Sequence, residues 1–479
     1  MSTTRRLRAA RPATPALEPG IAAIRREMDL PEGFPPDVEA AARAASANPR
    51  LPGLDRTDVP LVSVDPPGAM DLDQALHVER NGDGFVVRYA IADVAAFVRP
   101  GDPVDLEANR RGQTLYGAND KIPLHPKAIS EDAASLLPGV DRPALLWTIT
   151  LDRVGEGIDV DVRHAMVRSR ERLDYAGVQR TIDAGEAGPM WEVLREVGEL
   201  RIERERRRGG ISLPLPDQEI HVDDGHWNIA FRARQPVEDW NEQVSLLTGM
   251  AAAHLMTTHG VGLLRTLPEP DPRAVDRLRR TAHALDIRWP ADGSYPDFIR
   301  SLDPRNPRHV AMLVSSTTVL RGAGYAAFDG ALPEHPMHSA LASTYTHCTA
   351  PLRRLVDRYT GELCVALCAG QPAPDWVLQA LPGLPATMAA SDRRAGQYER
   401  AVIDLAESLM LARRIGERFR ASIVEVDHRD PTRGTVMLRD LAIEAHVQGA
   451  RPLPLGESVD VELVEADPAR RRIGFRLAA

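Results

Sequence analysis

LVSVDPPGAMDLDQAL, residues 61–76, opens on an apolar run that ends in Asp65, turns through Pro66, Pro67 and Gly68, and then sets Asp71 and Asp73 on either side of Leu72. A short apolar run closed by a Pro-Gly turn has the pattern of a buried strand and its exit. In an extended segment alternate side chains point the same way, so Asp71 and Asp73 share a face while Leu72 anchors into the core. Three carboxylates brought together resist ionisation unless a cation compensates them. A hard divalent ion does this while keeping room for water and a substrate phosphate. Two other readings fit the same residues: turn and cap aspartates beside a Pro-Gly loop, and an Asp-nucleophile phosphotransferase in which Asp65 follows its strand directly.

Outward from this stretch, GFVVRYAIADVAAFV (84–98) and ALLWTITLD (144–152) are apolar, β-rich runs, so residues 61 to about 155 form a mixed α/β region. Helical spacing follows at Tyr175–Ala184, Met190–Arg208, Val237–Thr257, 303–320 and 351–420, the last broken by the Pro-rich GQPAPDW. On the N-terminal side, helices are expected over 20–29 and 36–47, split by PEGFPP and preceded by a flexible basic arm of twenty residues. From Phe419 onward, five short alternating segments between turns suit a small OB-type barrel. The expected fold class is α/β (α+β). It comprises a helical, helix-turn-helix-like module over 1–49, a mixed catalytic domain over 50–418 and an OB-fold RNA-binding domain over 419–479.

Composition narrows the classes further. With 43% hydrophobic and 27% charged residues over 479 positions, the chain is a folded globular protein and not a disordered one. No run approaches the roughly 18 apolar residues of a membrane span, and the Arg-rich start lacks the apolar core of a secretory signal. Cys348, Cys364 and Cys368 have no complementary half of a zinc site, so packed thiols in a reducing cytoplasm are expected. The formal charge of −9 requires any nucleic acid to be met by local basic stripes. Candidate stripes are RHAMVRSRERLDY, RIERERRRGG and ARRIGERFR, although Arg interleaved with Glu on a helix is usually a solvated, salt-bridged face. Only Lys121 and Lys127 are lysines.

The order of these motifs resembles the ribonuclease II / R (RNB) exoribonucleases. VDPPGAMDLDQAL follows the family's Asp and, six residues on, Asp-x-Asp-Asp-Ala. YAIADVAAFVRPGDPVDLEANRRGQTLYGANDKIPLHPKAISEDAASLLPGVDRPAL, YTHCTAPLRRLVDR and the closing barrel of ribosomal S-one type fit in the same order, over about residues 20–479. The resemblance implies a hydrolytic, Mg²⁺-dependent 3′-to-5′ exoribonuclease. It would release nucleoside 5′-monophosphates from single-stranded 3′ ends, with structured RNA left open.

It implies metal ligation by Asp65, Asp71 and Asp73, with Asp73 the aspartate most needed for cleavage. Where the family has a fourth aspartate this chain has Gln74, a neutral and weaker ligand, which loosens one ion or invites Mn²⁺. Tyr116 matches the tyrosine beside the scissile bond, where an aromatic face accepts any base. Arg353 matches an arginine on the scissile phosphate, with Arg354, Tyr345 and Thr349 in the same loop as further RNA contacts. Glu399 matches a glutamate near the terminal ribose, and Tyr175 an aromatic bearing on RNA-versus-DNA choice. Leu213 stands where an aromatic is frequent. Arg471, on the last hairpin, is a candidate for RNA capture.

A monomer is expected, and about fifty N-terminal residues leave no room for the family's cold-shock-type domains, so a different RNA entrance is expected. The alternative reading, motivated by Gln74, is a non-catalytic RNA-binding or regulatory protein on the same fold.

Overall fold

The computed structural model describes residues 7–9, 14–118, 121–213, 217–223, 226–232, 234–320, 322–427, 429–438, 441 and 443–478. Helices α1 (Thr14–Glu27) and α2 (Pro36–Ala47) come first, separated by the predicted Pro/Gly turn. The arm expected to be free is not wholly so: Leu7–Ala9 pairs in parallel with the strand Asp217–Asp223, and α1 begins six residues earlier than its spacing indicated.

Five strands then close into a barrel in the order β1 (Leu61–Val64), β2 (Gln74–Asn81), β3 (Gly84–Ala92), β4 (Asp141–Leu151) and β5 (Gly157–Leu173). Parallel pairing of Val64 with Leu173 closes it. Sequence patterning located β1, β3 and β4; it did not foresee β2 or β5, and it gave no sign of closure, because that depends on the non-local β1–β5 pair.

The period-two rule explains how one strand serves two cores. On β3, Val87, Tyr89 and Ile91 join a cluster with Leu194, Val197, Val244 and Leu247 of the covering helices. Ala90 and Ala92 face the other way, into a cluster that holds Leu72, Val38, Ala42 and Leu352. Trp147 on β4 is fully buried, and burial of a side chain that size stabilises by roughly 1.5–3 kcal/mol.

The covering helices are α4 (Tyr175–Asp183), α5 (Pro189–Arg207) and α6 (Pro236–His259), joined later in the chain by α7 (Leu355–Cys368) and α8 (Leu384–Leu411). Their starts are written in the sequence. Asp174 caps α4 by accepting from the Gly177 N–H at 2.8 Å, and Gln235 with Glu238 forms a capping box before Pro236. A helix not foreseen, Pro272–Ala284, contributes with Pro307–Ser316 to a separate apolar cluster.

The C-terminal strands β6 (Arg418–Val426), β7 (Arg433–Leu438), β8 (Glu444–Gln448), β9 (Ser458–Asp467) and β10 (Arg472–Leu477) form a second closed barrel in the order β6-β7-β8-β10-β9. Phe475 and Val461 sit in its core beside Met410 and Leu411 at the end of α8, which carries the barrel. No helix among the described residues is long and apolar enough to cross a membrane.

Candidate active site

The loop between β1 and β2 carries the three aspartates. The Asp65 N–H donates to the Leu173 carbonyl at 3.0 Å, so Asp65 is fixed where β1 and β5 close the barrel. Gly68 takes φ +82° in the turn that follows, a conformation that disfavours other residues. Leu72 is fully buried, as expected, with its N–H on Ser135 Oγ at 2.9 Å.

The carboxylates on either side of Leu72 go to different partners. Asp73, 4% exposed, accepts from the Leu352 N–H at 2.8 Å through Oδ1 and lies 3.2 Å from Arg353 Nε through Oδ2. Asp71 lies 2.7 Å from Lys121 Nζ, and that ammonium lies 3.1 Å from Glu131.

The expected convergence is therefore incomplete. Among the described residues, Asp65, Asp71 and Asp73 do not place three oxygens within 4.8 Å of one another. The physical reason is that Lys121 and Arg353 draw two of them to separate cations. Burial raises Asp73 to about 7 against the pull of Arg353 and the Leu352 N–H, and raises Asp65 to about 6 against Arg353. Two carboxylates that resist ionisation in spite of a neighbouring guanidinium mark a place short of positive charge, and this fits a divalent cation there.

The group that does converge is Asp93, His164 and Glu362. Burial opposes the proton on His164, but hydrogen bonds to Asp93 and Glu362 outweigh it and raise the imidazole to about 10. The ring lies 2.8 Å from Asp93 and 3.3 Å from Glu362, so with no cation present these carboxylates hold its proton.

Gln74 is not an open ligand either. Its amide nitrogen donates to the Thr349 carbonyl at 2.6 Å, and its amide oxygen accepts from the Tyr89 hydroxyl at 2.6 Å. Tyr89 in turn reaches Ser245 Oγ at 2.7 Å. The side chain is thus a strut between β2, β3 and the loop before α7.

That loop places its residues unequally. Tyr345 is 5% exposed and packs edge-on against His338 and His347, so it is a core residue and not a surface contact for RNA. Thr349 is buried as well. Arg354 forks onto Asp357 with bonds of 2.6 and 2.9 Å, which commits its guanidinium to the first turn of α7. Arg353 is left 38% exposed. Of the neighbouring pair, Arg353 faces Asp73, while Arg354 is held by the Asp357 carboxylate.

Backbone bonds tie this loop to the segment that carries Tyr116. The Thr114 N–H donates to the Arg353 carbonyl at 2.9 Å, and the Leu355 N–H to Gly112 at 3.0 Å. Gly112 ends helix α3 (Pro103–Arg111) at φ +75°, where an added Cβ would meet Ser391 of α8 at 2.5 Å. Tyr116 follows, 40% exposed, paired in register with Lys121 across a two-stranded ribbon. Tyr175, the first residue of α4, accepts a hydrogen bond from Asn241 at 3.1 Å and is pushed up to about 12 by burial and by the charge of Asp65. Glu399 lies half-buried on α8, the helix that also packs on the Tyr116 ribbon.

The basic residues divide between a changed expectation and the salt-bridged face expected of an Arg/Glu helix. Arg471 lies 2.7 Å from Glu27 of α1, so it joins the C-terminal barrel to the N-terminal helix. On α5, Arg206 and Arg207 both pair with Glu203, the bland reading of that stripe. Leu213, described but half-buried, packs near the cluster around Leu278 and Phe298 and adds no aromatic wall. Sequence reasoning missed Lys121, Tyr89, Ser245 and the Leu352 N–H. The rarity of lysine in this chain was the one available signal for Lys121; a backbone N–H leaves none.

Comparison with known proteins adds the following. Residues 54–368 match the RNB domain model, and residues 417–478 match the RNase II-type exonuclease C-terminal S1 domain. Ribonuclease R of Thermotoga maritima is 26% identical over 427 residues, covering 84% of this chain and 60% of that one. Ribonuclease R of Escherichia coli is 29% identical over 320 residues, covering 64% and 39%. The chain thus spans at most about three-fifths of either relative.

Among solved structures, Mycoplasma genitalium RNase R with ribose-methylated single-stranded RNA superposes with a TM-score of 0.82 at 20% identity, over 96% of this chain and 78% of that one. Yeast Ssd1, described as a pseudonuclease, superposes with a TM-score of 0.71 at 17% identity, over 95% and 57%.

Proposed function

Because the chain belongs to the RNB-domain family, we propose that it is a 3′-to-5′ exoribonuclease that hydrolyses single-stranded RNA to nucleoside 5′-monophosphates with a divalent ion, Mg²⁺ or Mn²⁺. The observation that carries this reading is the Asp73–Arg353 pair: a buried carboxylate short of positive charge beside a part-exposed guanidinium.

Asp65 and Asp73, with Asp71 beside them, would hold the ion, which would supply an activated water and charge neutralisation at the scissile phosphate. Arg353 offers its outer amino groups to the phosphoryl oxygens as charge develops there. Its Nε stays on Asp73, so the cation is already oriented before substrate arrives. Tyr116 offers an aromatic face to the terminal base, on a ribbon whose position is locked to Arg353 by the Thr114–Arg353 backbone bond. Tyr175, held by Asn241 next to Asp65, would stand beside the last sugar, and Glu399 would accept from ribose hydroxyls. Buried Tyr345 and Thr349, with half-buried Arg354 and Gln74 committed to protein partners, shape the loop without touching RNA. The C-terminal barrel would add backbone contacts through arginines other than Arg471.

A second reading has its own support. The aspartates do not converge, Gln74 is committed to protein partners, and the Ssd1 pseudonuclease shares the architecture. In that reading the chain binds RNA without cutting it.

Incubation of the protein with uniformly labelled single-stranded RNA and Mg²⁺ or Mn²⁺ separates the two. Mononucleotide release by the wild type, lost in Asp73→Asn, supports the enzyme. Retained RNA binding with intact RNA in both ions supports the second reading.

A further inference from the structure

Of the three aspartates, Asp71 is the one paired with a lysine. Lys121 Nζ sits 2.7 Å from its Oδ1 and 3.1 Å from Glu131 Oε1. Lys127 approaches the other oxygen of Glu131 at 3.9 Å. The ammonium is therefore held by carboxylates from two separate elements, the β1–β2 loop and the turn Ile129–Ala133. It is a fixed charge, unlike a surface lysine that sweeps through solvent, and its side chain keeps 24% exposure. The ribbon register sets it directly opposite Tyr116, the candidate platform for the terminal nucleotide.

Charge and donor count agree with this placement. Asp65, Asp71, Asp73 and Glu131 bring four negative charges, while Arg353, Lys121 and Lys127 return three. One divalent ion then leaves a single positive charge, enough to receive one phosphodiester. A second divalent ion would leave three positive charges against that one anion. It would also need Asp71 to give up Lys121, and the neighbouring amide of Gln74, bonded to Thr349 and Tyr89, supplies no replacement.

We propose that Lys121 is the second cation of this site: its ammonium occupies the Asp71 side permanently, so that the protein takes one divalent ion and not two. The proposal rests on the metal-dependent reading above. In it, the ion sits with Asp65 and Asp73. Lys121 carries the negative charge of the phosphate next to Tyr116, as a compact point charge with no need of a metal ligand set.

The test counts bound ions directly. The full-length protein is titrated with Mn²⁺, and free Mn²⁺ is followed by electron paramagnetic resonance. The count is the difference from an Asp65→Asn/Asp71→Asn/Asp73→Asn variant, so that ions on other carboxylates drop out. Wild type is expected to bind one ion, Lys121→Arg one, and Lys121→Gln two. Adding Asp71→Asn to Lys121→Gln returns the count to one. Asp71→Asn by itself leaves one, because Asp71 serves the lysine and not the metal; this arm decides the matter even if Lys121→Gln does not fold.

Two ions on wild type, or one on folded Lys121→Gln, overturns the lysine proposal and leaves the metal-dependent reading standing. No ion on any variant overturns both.

Discussion

Asp73 and Arg353 meet at 3.2 Å between Oδ2 and Nε, and the residue before that arginine closes the other carboxylate oxygen with its own N–H. One side chain thus fixes two consecutive residues of a loop that lies 279 positions away in sequence. The arginine is aimed by this contact, so charge alone will not replace it. Arg353→Lys keeps the cation but loses the fork, and is expected to lower kcat by about 10²–10³-fold, the range for removal of one positioned donor. The melting temperature should change little, since Arg353 is partly exposed. Single-turnover cleavage of end-labelled RNA reads the first, thermal denaturation the second. Activity within threefold of wild type would remove Arg353 from the reaction.

His164 gives the fold a pH dependence of predictable sign. Burial works against its proton, yet Asp93 and Glu362 raise the group to about 10, above its ordinary 6.5. A group whose folded value is raised stabilises fully below the unfolded value, and that stabilisation fades as pH climbs through the folded value. The protein should therefore lose stability between about pH 6.5 and pH 10. His164→Gln should be less stable at pH 6 and approach wild type near pH 10. Urea melts across this window check it; parallel curves for the two proteins would show that the imidazolium contributes nothing.

Much of this was legible from the chain, and the gaps have a common cause. The strands over 61–64, 84–92 and 141–151 showed in their apolar runs, α4 and α6 in their helical spacing, the aspartates in their spacing, and Tyr116 and Arg353 only through the family resemblance. What local pattern does not carry is who pairs with whom across distance. Barrel closure rests on Val64 against Leu173. Asp71 leaves the expected convergence because Lys121 arrives from a ribbon fifty residues on. Tyr345 and Arg354 resemble RNA contacts by position, and only the packing of His338, His347 and Asp357 around them shows them committed to the core. Arg471 sits on a hairpin suited to nucleic acid until α1 supplies Glu27.

The role of Gln74 is separable from metal binding. Its amide donates to one protein acceptor and accepts from one protein donor, an arrangement a carboxylate cannot copy. Gln74→Glu would set an acceptor against the Thr349 carbonyl, and is expected to destabilise the protein by about 1 kcal/mol, the low end for a polar group left unpaired, because the site is only half-buried. Asp at the same position is shorter, loses both contacts and should cost at least as much. If Gln74 were instead a ligand, either acid would tighten Mn²⁺ binding without loss of stability. Calorimetric titration alongside thermal melts distinguishes the two.

Tyr116 is where the structure makes its most specific demand on substrate. Leu115 before it is buried, and the Thr114 N–H is spent on the Arg353 carbonyl, so the ribbon cannot shift without moving the arginine. The tyrosine itself projects with 40% of its surface exposed, which leaves its ring able to meet a planar partner. Stacking uses the ring and not the hydroxyl. Tyr116→Phe should therefore keep cleavage within about threefold, while Tyr116→Ala forfeits about 1–3 kcal/mol of base stacking, or roughly 5- to 150-fold in kcat/KM. Neither change should lower the melting temperature by more than a degree or two. Cleavage of oligonucleotides with an abasic terminal residue completes the test: these should be poor substrates for wild type and no worse for Tyr116→Ala, because the missing base and the missing ring remove the same contact. An additive loss would place the terminal base elsewhere.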